Sequence, residues 1–190
     1  MRDLFPGGSA IYFRFMLEPL LVDELAPAEL EGATPSLARL LAACVADGAS
    51  IGFLPPFDVA EAAAFWRKMA VQIRAGERRL LAARRGGEIL GAVMVVLAMP
   101  ANGRHRAEIS KLIVDPALRR QGIGRALMTA AEALAGREGR SLLVLDTRTG
   151  DVAQGLYVSL GFRKVGEIPN YVRSDTGALD STTVMYKLLA

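Results

Sequence analysis

The stretch Val114-Asp115-Pro116-Ala117-Leu118-Arg119-Arg120-Gln121-Gly122-Ile123-Gly124-Arg125 carries the most information about the fold. The residues before it predict a strand, and the amphipathic spacing after it predicts a helix that begins at Gly122. Glycines in a first helical turn let a ligand approach the backbone, and the free N–H groups there attract anions. Three arginines in the stretch add donors suited to phosphate oxygens. We therefore predict a pyrophosphate site, with a plain glycine turn beside a basic helix end as the alternative interpretation.

Downstream of this stretch, the pattern predicts alternating helices and strands. Helices are expected at 122–135 and 151–160, and strands at 142–145, 162–168 and 183–188. The unbroken apolar run Leu142–Leu145 is typical of a strand buried on both faces. Between the last two strands, Pro169–Thr182 is expected to form a long polar loop, and loops of that length often line a binding site.

Upstream, the pattern predicts strands and two helices. The strands are expected at 20–25, 79–84, 88–97 and 106–114, and the helices at 36–46 and 59–74. Asp58 is a good N-cap for the second helix, and Gly86-Gly87 is a hairpin signal. The whole pattern indicates a mixed α/β domain with an antiparallel front half and a parallel back half.

Composition excludes several classes of protein. The chain has 190 residues, and its single cysteine, Cys44, excludes an intrachain disulfide framework and favours a reducing, cytoplasmic compartment. One cysteine and one histidine also exclude a zinc site with several such ligands, so no metal is expected. A net charge of +3 disfavours nucleic acid as a partner. The longest apolar run, Leu90–Met99, is about half of the ~20 residues that a membrane-spanning helix needs, so no membrane is expected either.

Three motifs resemble those of the GCN5-related N-acetyltransferase (GNAT) family. Arg119–Gly124 matches the family's pyrophosphate motif Gln/Arg-x-x-Gly-x-Gly/Ala, and Lys111–Val114 is similar to its fourth strand. Leu156-Tyr157-x-x-x-Gly161-Phe162 is similar to its downstream Leu-Tyr-x-x-x-Gly-Phe signature. A narrower resemblance, to the branch of the tabtoxin-resistance acetyltransferase, is carried by residues 105–108, 143–147 and 166–171.

The resemblance implies a mixed, centrally twisted sheet of about six to seven strands, with about four helices on both faces. We expect residues 17–190 to form a single N-acetyltransferase domain, with residues 1–16 as a flexible extension that lacks the features of a secretion signal. The implied reaction is direct transfer of an acetyl group from acetyl-CoA to a primary amine of a small molecule, such as a toxin or antibiotic. Family analogy allows a homodimer.

The resemblance also assigns the cofactor contacts. In the family, the backbone of the fourth strand holds the pantetheine arm, which here means Leu112, Ile113 and Val114. The pyrophosphate contacts fall on Arg119, Arg120, Gln121, Gly122, Ile123, Gly124 and Arg125. Gly150 stands where many members carry an asparagine that contacts the cofactor.

Acetyl transfer needs a base for the amine and an acid for the departing thiolate. We predict Tyr157 as the general acid, because a phenol is protonated at neutral pH; a packing aromatic is the alternative. We predict Glu108 as the base, acting through water, since an unbroken strand would place it about 13 Å from Leu112 on the same face. A bulge could change that orientation. Asp146 is the second base candidate, with a turn-capping residue as the alternative.

Two other reactive side chains receive structural interpretations. His105 lies between two arginines and is expected to be a solvated loop residue, and Cys44 falls in an apolar helical stripe and is expected in the core. Two functions stay open beside acetylation of a small amine: acetylation of a peptide or protein amine, and a non-catalytic acyl-CoA-binding module. A nucleic-acid binder is the most distant alternative.

Overall fold

The computed structural model describes residues 18–189 as a seven-stranded sheet with helices on both faces. The helices are α1 (Leu30–Ala46), α2 (Val59–Arg74), α3 (Ile123–Arg137) and α4 (Val152–Ser159). The strands are β1 (Leu21–Glu24), β2 (Arg78–Arg85), β3 (Glu88–Val96), β4 (Arg106–Val114), β5 (Leu142–Arg148), β6 (Arg163–Arg173) and β7 (Leu179–Leu188). The predicted extension, residues 1–16, lies outside the described residues.

The two N-terminal helices begin for different reasons. Helix α2 begins where predicted, because Asp58 and Glu61 form a capping box in which each side chain accepts from the other's backbone N–H. Helix α1 begins at Leu30 rather than at Ser36, and Pro35 lies inside it. Leu30 is buried, so the packing of this first turn outweighs the backbone hydrogen bond that the proline removes.

The sheet has the strand order β1-β2-β3-β4-β5-β7-β6. The predicted parallel back half was wrong: β4 and β5 form the parallel pair, whereas β5–β7 and β6–β7 are antiparallel. The reason is that β7 is inserted between β5 and β6, so the last three strands do not follow chain order. The mixed sheet and the helices on both faces confirm the expected fold class.

The predicted long loop over residues 169–182 was also wrong. Strand β6 runs through Pro169 to Arg173, and β7 already begins at Leu179, so the connection is a turn of residues 174–178. Proline has no backbone N–H to donate to a neighbouring strand. Because β6 is the edge strand of the described sheet, no strand lies on its outer side to accept such a hydrogen bond, and Pro169 is tolerated. The register shifts between Ile168 and Val172, and Asn170 takes a positive φ of 56° at this irregularity.

The hydrophobic core forms two clusters, one on each face of the sheet. Helix α3 contributes to one cluster with β3, β4 and β5, and helices α1 and α2 form the other with β2, β3 and Ile113 of β4. On this second face, β5 presents half-buried Val144 and exposed Asp146, while Leu143 and Leu145 point to the α3 side and are buried. Burial of β5 on both faces was therefore wrong, because no helix of residues 18–189 covers the α1–α2 side of the sheet beyond β4.

No helix among residues 18–189 combines the length and the apolar character needed to cross a lipid bilayer.

Candidate active site

Strands β4 and β5 separate in the middle of the sheet. They pair only where Arg106–Glu108 lies beside Leu142–Val144, although β4 continues to Val114 and β5 to Arg148. Among the strands of residues 18–189, none therefore pairs with the edge of β4 over residues 109–114 on the β5 side. Because backbone N–H and C=O groups need hydrogen-bond partners, an extended ligand can add to this edge as a strand would.

Strand β4 contains a bulge beside this opening. Ala92 of β3 pairs with Ile113 and Met94 pairs with Ser110, so Val93 faces both Lys111 and Leu112. Lys111 takes a positive φ of 52° there. The bulge reverses the alternation of side chains: Ala107 and Ile109 point to the α3 side before it, and Leu112 and Val114 do so after it. Glu108 therefore shares its face with Ile113 rather than with Leu112, which is the change of orientation that a bulge was expected to cause.

The segment from Arg119 to Arg125 presents a run of free backbone N–H groups. Within residues 18–189 none of these groups donates to a protein acceptor, and the first that does belongs to Ala126, bonded to the Gly122 carbonyl at 3.0 Å. Gly122 caps helix α3 with φ 82°, and Arg120 also has a positive φ of 66°. Successive N–H groups in such alternating conformations form a concavity that binds anions.

Gly124 lies where the start of α3 packs on α4. A Cβ at this position would be 3.2 Å from Cδ2 of Leu156 and 3.8 Å from Cγ2 of Val114. The absence of a side chain therefore serves the packing of the two helices as well as access to the backbone. The side chains of Ile113 and Ile123 are buried, so only the backbone groups of these residues are available to a ligand.

The three predicted phosphate-binding arginines differ in their partners. Arg119 forms an ion pair with Asp47 at the end of α1, and Arg125 donates to Ser159 Oγ at 2.8 Å. Arg120 and Gln121 are exposed and make no hydrogen bond or ion pair within the described residues. Arg120 is therefore the guanidinium of the three that can meet an anion without losing a protein contact.

Tyr157 of α4 lies buried beside the opening, with its ring centroid 5.9 Å from that of Phe162. Burial raises the pKa of its phenol far above the ordinary range, and the carboxylates of Asp151 and Asp146 add to this effect. The hydroxyl group makes no hydrogen bond within the described residues and is not among their fully buried, unpartnered polar atoms. Tyr157 therefore holds a neutral O–H that has no partner among the described residues.

Glu108 and Asp146 are both exposed, on the open face of neighbouring strands. Asp146 Oδ2 accepts a hydrogen bond of 2.8 Å from Thr182 Oγ1, which lies 2.9 Å from the Thr147 carbonyl as well. Thr182 is buried, so it positions one oxygen of Asp146 and leaves the other free. Sequence reasoning missed this residue because it placed Thr182 in a loop rather than in β7.

A cavity of about 220 Å³ lies on the same side of the sheet, near the end of β5. The α1–α2 connection forms one wall with Gly52 and Phe53, and the β6–β7 turn forms the other with Arg173 and Asp175. Arg148 at the end of β5 completes it. The sequence analysis expected residues 169–182 to line a binding site, and part of that range forms the second wall. It missed the first wall, because the two walls meet only when β5, β6 and β7 are assembled.

Lys111 is a further residue that the sequence left unassigned. Its ammonium lies 5.8 Å from the Phe53 ring centroid, beside the cavity wall. A lysine inside an otherwise apolar strand end was the available signal, but its direction depends on the bulge.

His105 and Cys44 agree with their structural interpretations. His105 is exposed before β4. Cys44 is buried in α1, where its Sγ donates to the Val114 carbonyl at 3.4 Å, and burial raises the pKa of its thiol to about 11. A thiol with such a pKa stays protonated at neutral pH, so Cys44 is no nucleophile there.

Comparisons with known proteins agree with this architecture. A sequence model described as the acetyltransferase (GNAT) family matches residues 43–162, more than half of the chain. Human N-acetyltransferase 8 is 36% identical over 90 residues, which cover 47% of this chain and 40% of the human protein. The matched region thus spans well under half the length of that curated relative.

Two solved structures share the fold over nearly all of this chain. A GCN5-related N-acetyltransferase from Kribbella flavida has a TM-score of 0.73 and 28% identity, covering 90% of this chain and 98% of that one. A phosphinothricin acetyltransferase from Sinorhizobium meliloti, in complex with acetyl-CoA, has a TM-score of 0.72 and 19% identity, covering 90% and 89%.

Proposed function

The chain belongs to the acetyltransferase (GNAT) family, and we propose on that premise that it transfers an acetyl group from acetyl-CoA to the primary amine of a small molecule. The family makes it an acyltransferase with acetyl-CoA as its cosubstrate. We also propose that residues 17–190 form one N-acetyltransferase domain that acts in the cytoplasm. A homodimer, which family analogy allows, belongs to the proposal as well.

The observation that carries the proposal is a continuous path for acetyl-CoA. Free N–H groups of residues 119–125 fit the pyrophosphate, and Arg120 can add a guanidinium to it. The path leads to the unpaired edge of β4 at residues 109–114, which fits the amide groups of the pantetheine arm. Both parts belong to the chain's backbone, so the cosubstrate can be held without any rearrangement of side chains.

At the other end of this path, the side chains have distinct tasks. Glu108 and Asp146 are exposed carboxylates on the same face of the sheet as the cavity residue Arg148, and either can take a proton from an ammonium directly or through water. Tyr157 lies on the opposite side of the opening and keeps its proton at neutral pH, so it can donate to the sulfur that leaves. The activated thioester of acetyl-CoA supplies the acetyl group to the amine.

The size of the cavity favours a small acceptor over a peptide. Its two walls close on a space of about 220 Å³, and the β6–β7 turn that forms one wall spans only residues 174–178. A peptide would need an open groove that runs past both walls. We include toxins and antibiotics among the candidate acceptors, in line with the resemblance to the tabtoxin-resistance branch.

The first test is a calorimetric titration of acetyl-CoA followed by a screen for CoA release. We expect micromolar binding, and release of free CoA thiol with small primary amines but not with peptides of five or more residues. Competition between amines and peptides in one assay provides the comparison. Absence of acetyl-CoA binding to the folded protein would remove the acetyltransferase proposal, and release with peptides alone would replace the acceptor class.

The base is tested by Glu108→Gln and Asp146→Asn, each measured from pH 6 to 10. The amine attacks only after it has lost its proton, so a variant without the base depends on the free amine that the solution supplies. Loss of the true base should lower kcat by about 100-fold near neutral pH, and this deficit should shrink as the pH approaches the pKa of the amine itself. Glu31→Gln, an exposed change on α1, is the control. If neither variant shifts the profile, the base assignment fails.

A further inference from the structure

The ammonium of Lys111 occupies an unusual place for a lysine. The residue is half-buried in the β4 bulge, and its side chain runs to the α1–α2 connection, where a Cβ on Gly52 would be 3.5 Å from Nζ. Among residues 18–189 no carboxylate forms an ion pair with Nζ, and no oxygen accepts a hydrogen bond from it. Nζ lies over the ring of Phe53, 5.8 Å from its centroid.

The charged groups around Lys111 come from three other positions in the sheet. Burial lowers the pKa of the ammonium, and Arg78 of β2 adds to this effect. Glu108 and Asp146 act in the opposite direction, which places both base candidates within electrostatic reach of Lys111. Nζ lies against Gly52 and Phe53, which both line the cavity, so a ligand in the cavity can approach it.

A half-buried cation without an anionic partner loses hydration and gains little in return. An anion in the adjacent cavity would restore those interactions through charge-assisted hydrogen bonds. The other cations at the cavity are already engaged: Arg148 contacts Asp151 at 3.2 Å and Asp180 at 4.0 Å, and Arg173 donates to the Gly177 carbonyl at 2.9 Å. Lys111 is therefore the cation best placed to bind an anionic group of the acceptor.

We propose that the acceptor carries a carboxylate as well as an amine, as an α-amino acid does, and that Lys111 binds this carboxylate. The acceptor site then offers charges of both signs: Lys111 binds the carboxylate, and Glu108 and Asp146 bind the ammonium. The ring of Phe53 lies beside Nζ at the cavity wall, so an apolar side chain of the acceptor can pack there. This inference rests on the proposed acetyl transfer to a small amine and narrows its substrate class.

The test compares amino acids with their decarboxylated counterparts, for example L-phenylalanine with phenethylamine, across the proteinogenic set. The wild type should prefer the best amino acid over its matched amine by at least about tenfold in kcat/KM. Lys111→Gln should raise KM for the amino acid and bring that ratio close to one, and Lys111→Arg, which keeps the charge, should restore part of it. Lys68→Gln, an exposed change on α2, should leave the ratio as in the wild type.

Two outcomes of this comparison overturn the inference. A wild type without preference for any carboxylate-bearing acceptor shows that Lys111 recognises no carboxylate. An equal loss of kcat by Lys111→Gln for both members of a pair shows that Lys111 acts on the reaction or on the fold, and a thermal melt separates these two cases.

A binding experiment decides the inference separately from the proposed function. If the protein binds acetyl-CoA but acetylates no acceptor, the proposed function fails, and N-acetyl-L-phenylalanine is then titrated into the CoA-bound protein and into CoA-bound Lys111→Gln. Binding that weakens at least about tenfold in the variant supports a carboxylate site at Lys111. Equal binding to both proteins, or binding to neither, overturns it.

Discussion

Replacement of Gly124 by glutamate should abolish acetyl-CoA binding, with a loss of affinity of at least about 100-fold, or about 2.7 kcal/mol. The residue lies in the first turn of α3, among N–H groups that have no protein acceptor. The positive end of the helix and these donors favour a pyrophosphate, and a glutamate there would occupy the same space with the same sign of charge. Calorimetry on both proteins measures the effect.

Gly124→Ala is the matched control for this prediction. Its Cβ would meet Leu156 Cδ2 at 3.2 Å just as the glutamate's would, but it brings no charge and no further bulk. Because Cδ2 is the movable end of a side chain, we expect the alanine variant to fold and to bind acetyl-CoA within about threefold of the wild type. If the alanine variant loses binding as fully as the glutamate variant, packing of α3 on α4 explains the loss. If the folded glutamate variant binds normally, the pyrophosphate is bound elsewhere.

Tyr157→Phe should lower kcat by about 100-fold or more, while acetyl-CoA binding and thermal stability stay close to those of the wild type. The substitution keeps the buried ring and its contact with Phe162, 5.9 Å away. The hydroxyl has no hydrogen-bond partner among residues 18–189, so its removal leaves no protein group unsatisfied. A purely structural tyrosine would therefore tolerate this change without consequence for turnover.

Phe162→Leu provides the complementary control for Tyr157. It disturbs the packing around the same ring but keeps the phenol, so it should lower the melting temperature and largely preserve kcat. Steady-state kinetics with a saturating amine, together with a thermal melt of each variant, distinguish the two effects. Unchanged turnover in Tyr157→Phe would remove this residue from the mechanism.

The two variants act at opposite ends of the path for acetyl-CoA, so their results can be separated. Gly124→Glu should abolish acetyl-CoA binding and with it turnover. Tyr157→Phe should lower turnover in a protein that still binds acetyl-CoA. If both substitutions lowered only the thermal stability, and neither changed acetyl-CoA binding or turnover, the protein would have the fold of this family without its acetyl-transfer activity.

Features set by neighbouring residues were predictable from the chain. The spacing of Gly122 and Gly124 before an apolar stripe predicts the start of α3, and Asp58 predicts the start of α2, where the structure adds Glu61 to a capping box. In both cases the groups that decide the structure lie within one helical turn of each other. The hairpin at Gly86-Gly87 was predictable for the same reason, since its turn lies between adjacent strands.

Features that depend on distant strands were not predictable in the same way. The bulge that turns Lys111 toward the cavity arises from the pairing of β4 with β3, and the passage of β6 through Pro169 is tolerated because β6 is an edge strand. The position of Thr182 beside Asp146 follows from the insertion of β7 between β5 and β6. Sequence spacing carries no information about which strands become neighbours.

The sequence by itself determined the start of α3 after Gly122, the family to which the chain belongs, and which residues are the candidate acid and bases. These depend on short-range spacing, which the chain order preserves. The tertiary structure decided the separation of β4 from β5, the cavity between the α1–α2 connection and the β6–β7 turn, and the meeting of Lys111 with Glu108 and Asp146. The reason is that hydrogen bonding between strands and burial of side chains act between residues that are distant in the chain, so the acceptor site exists only once the sheet is assembled.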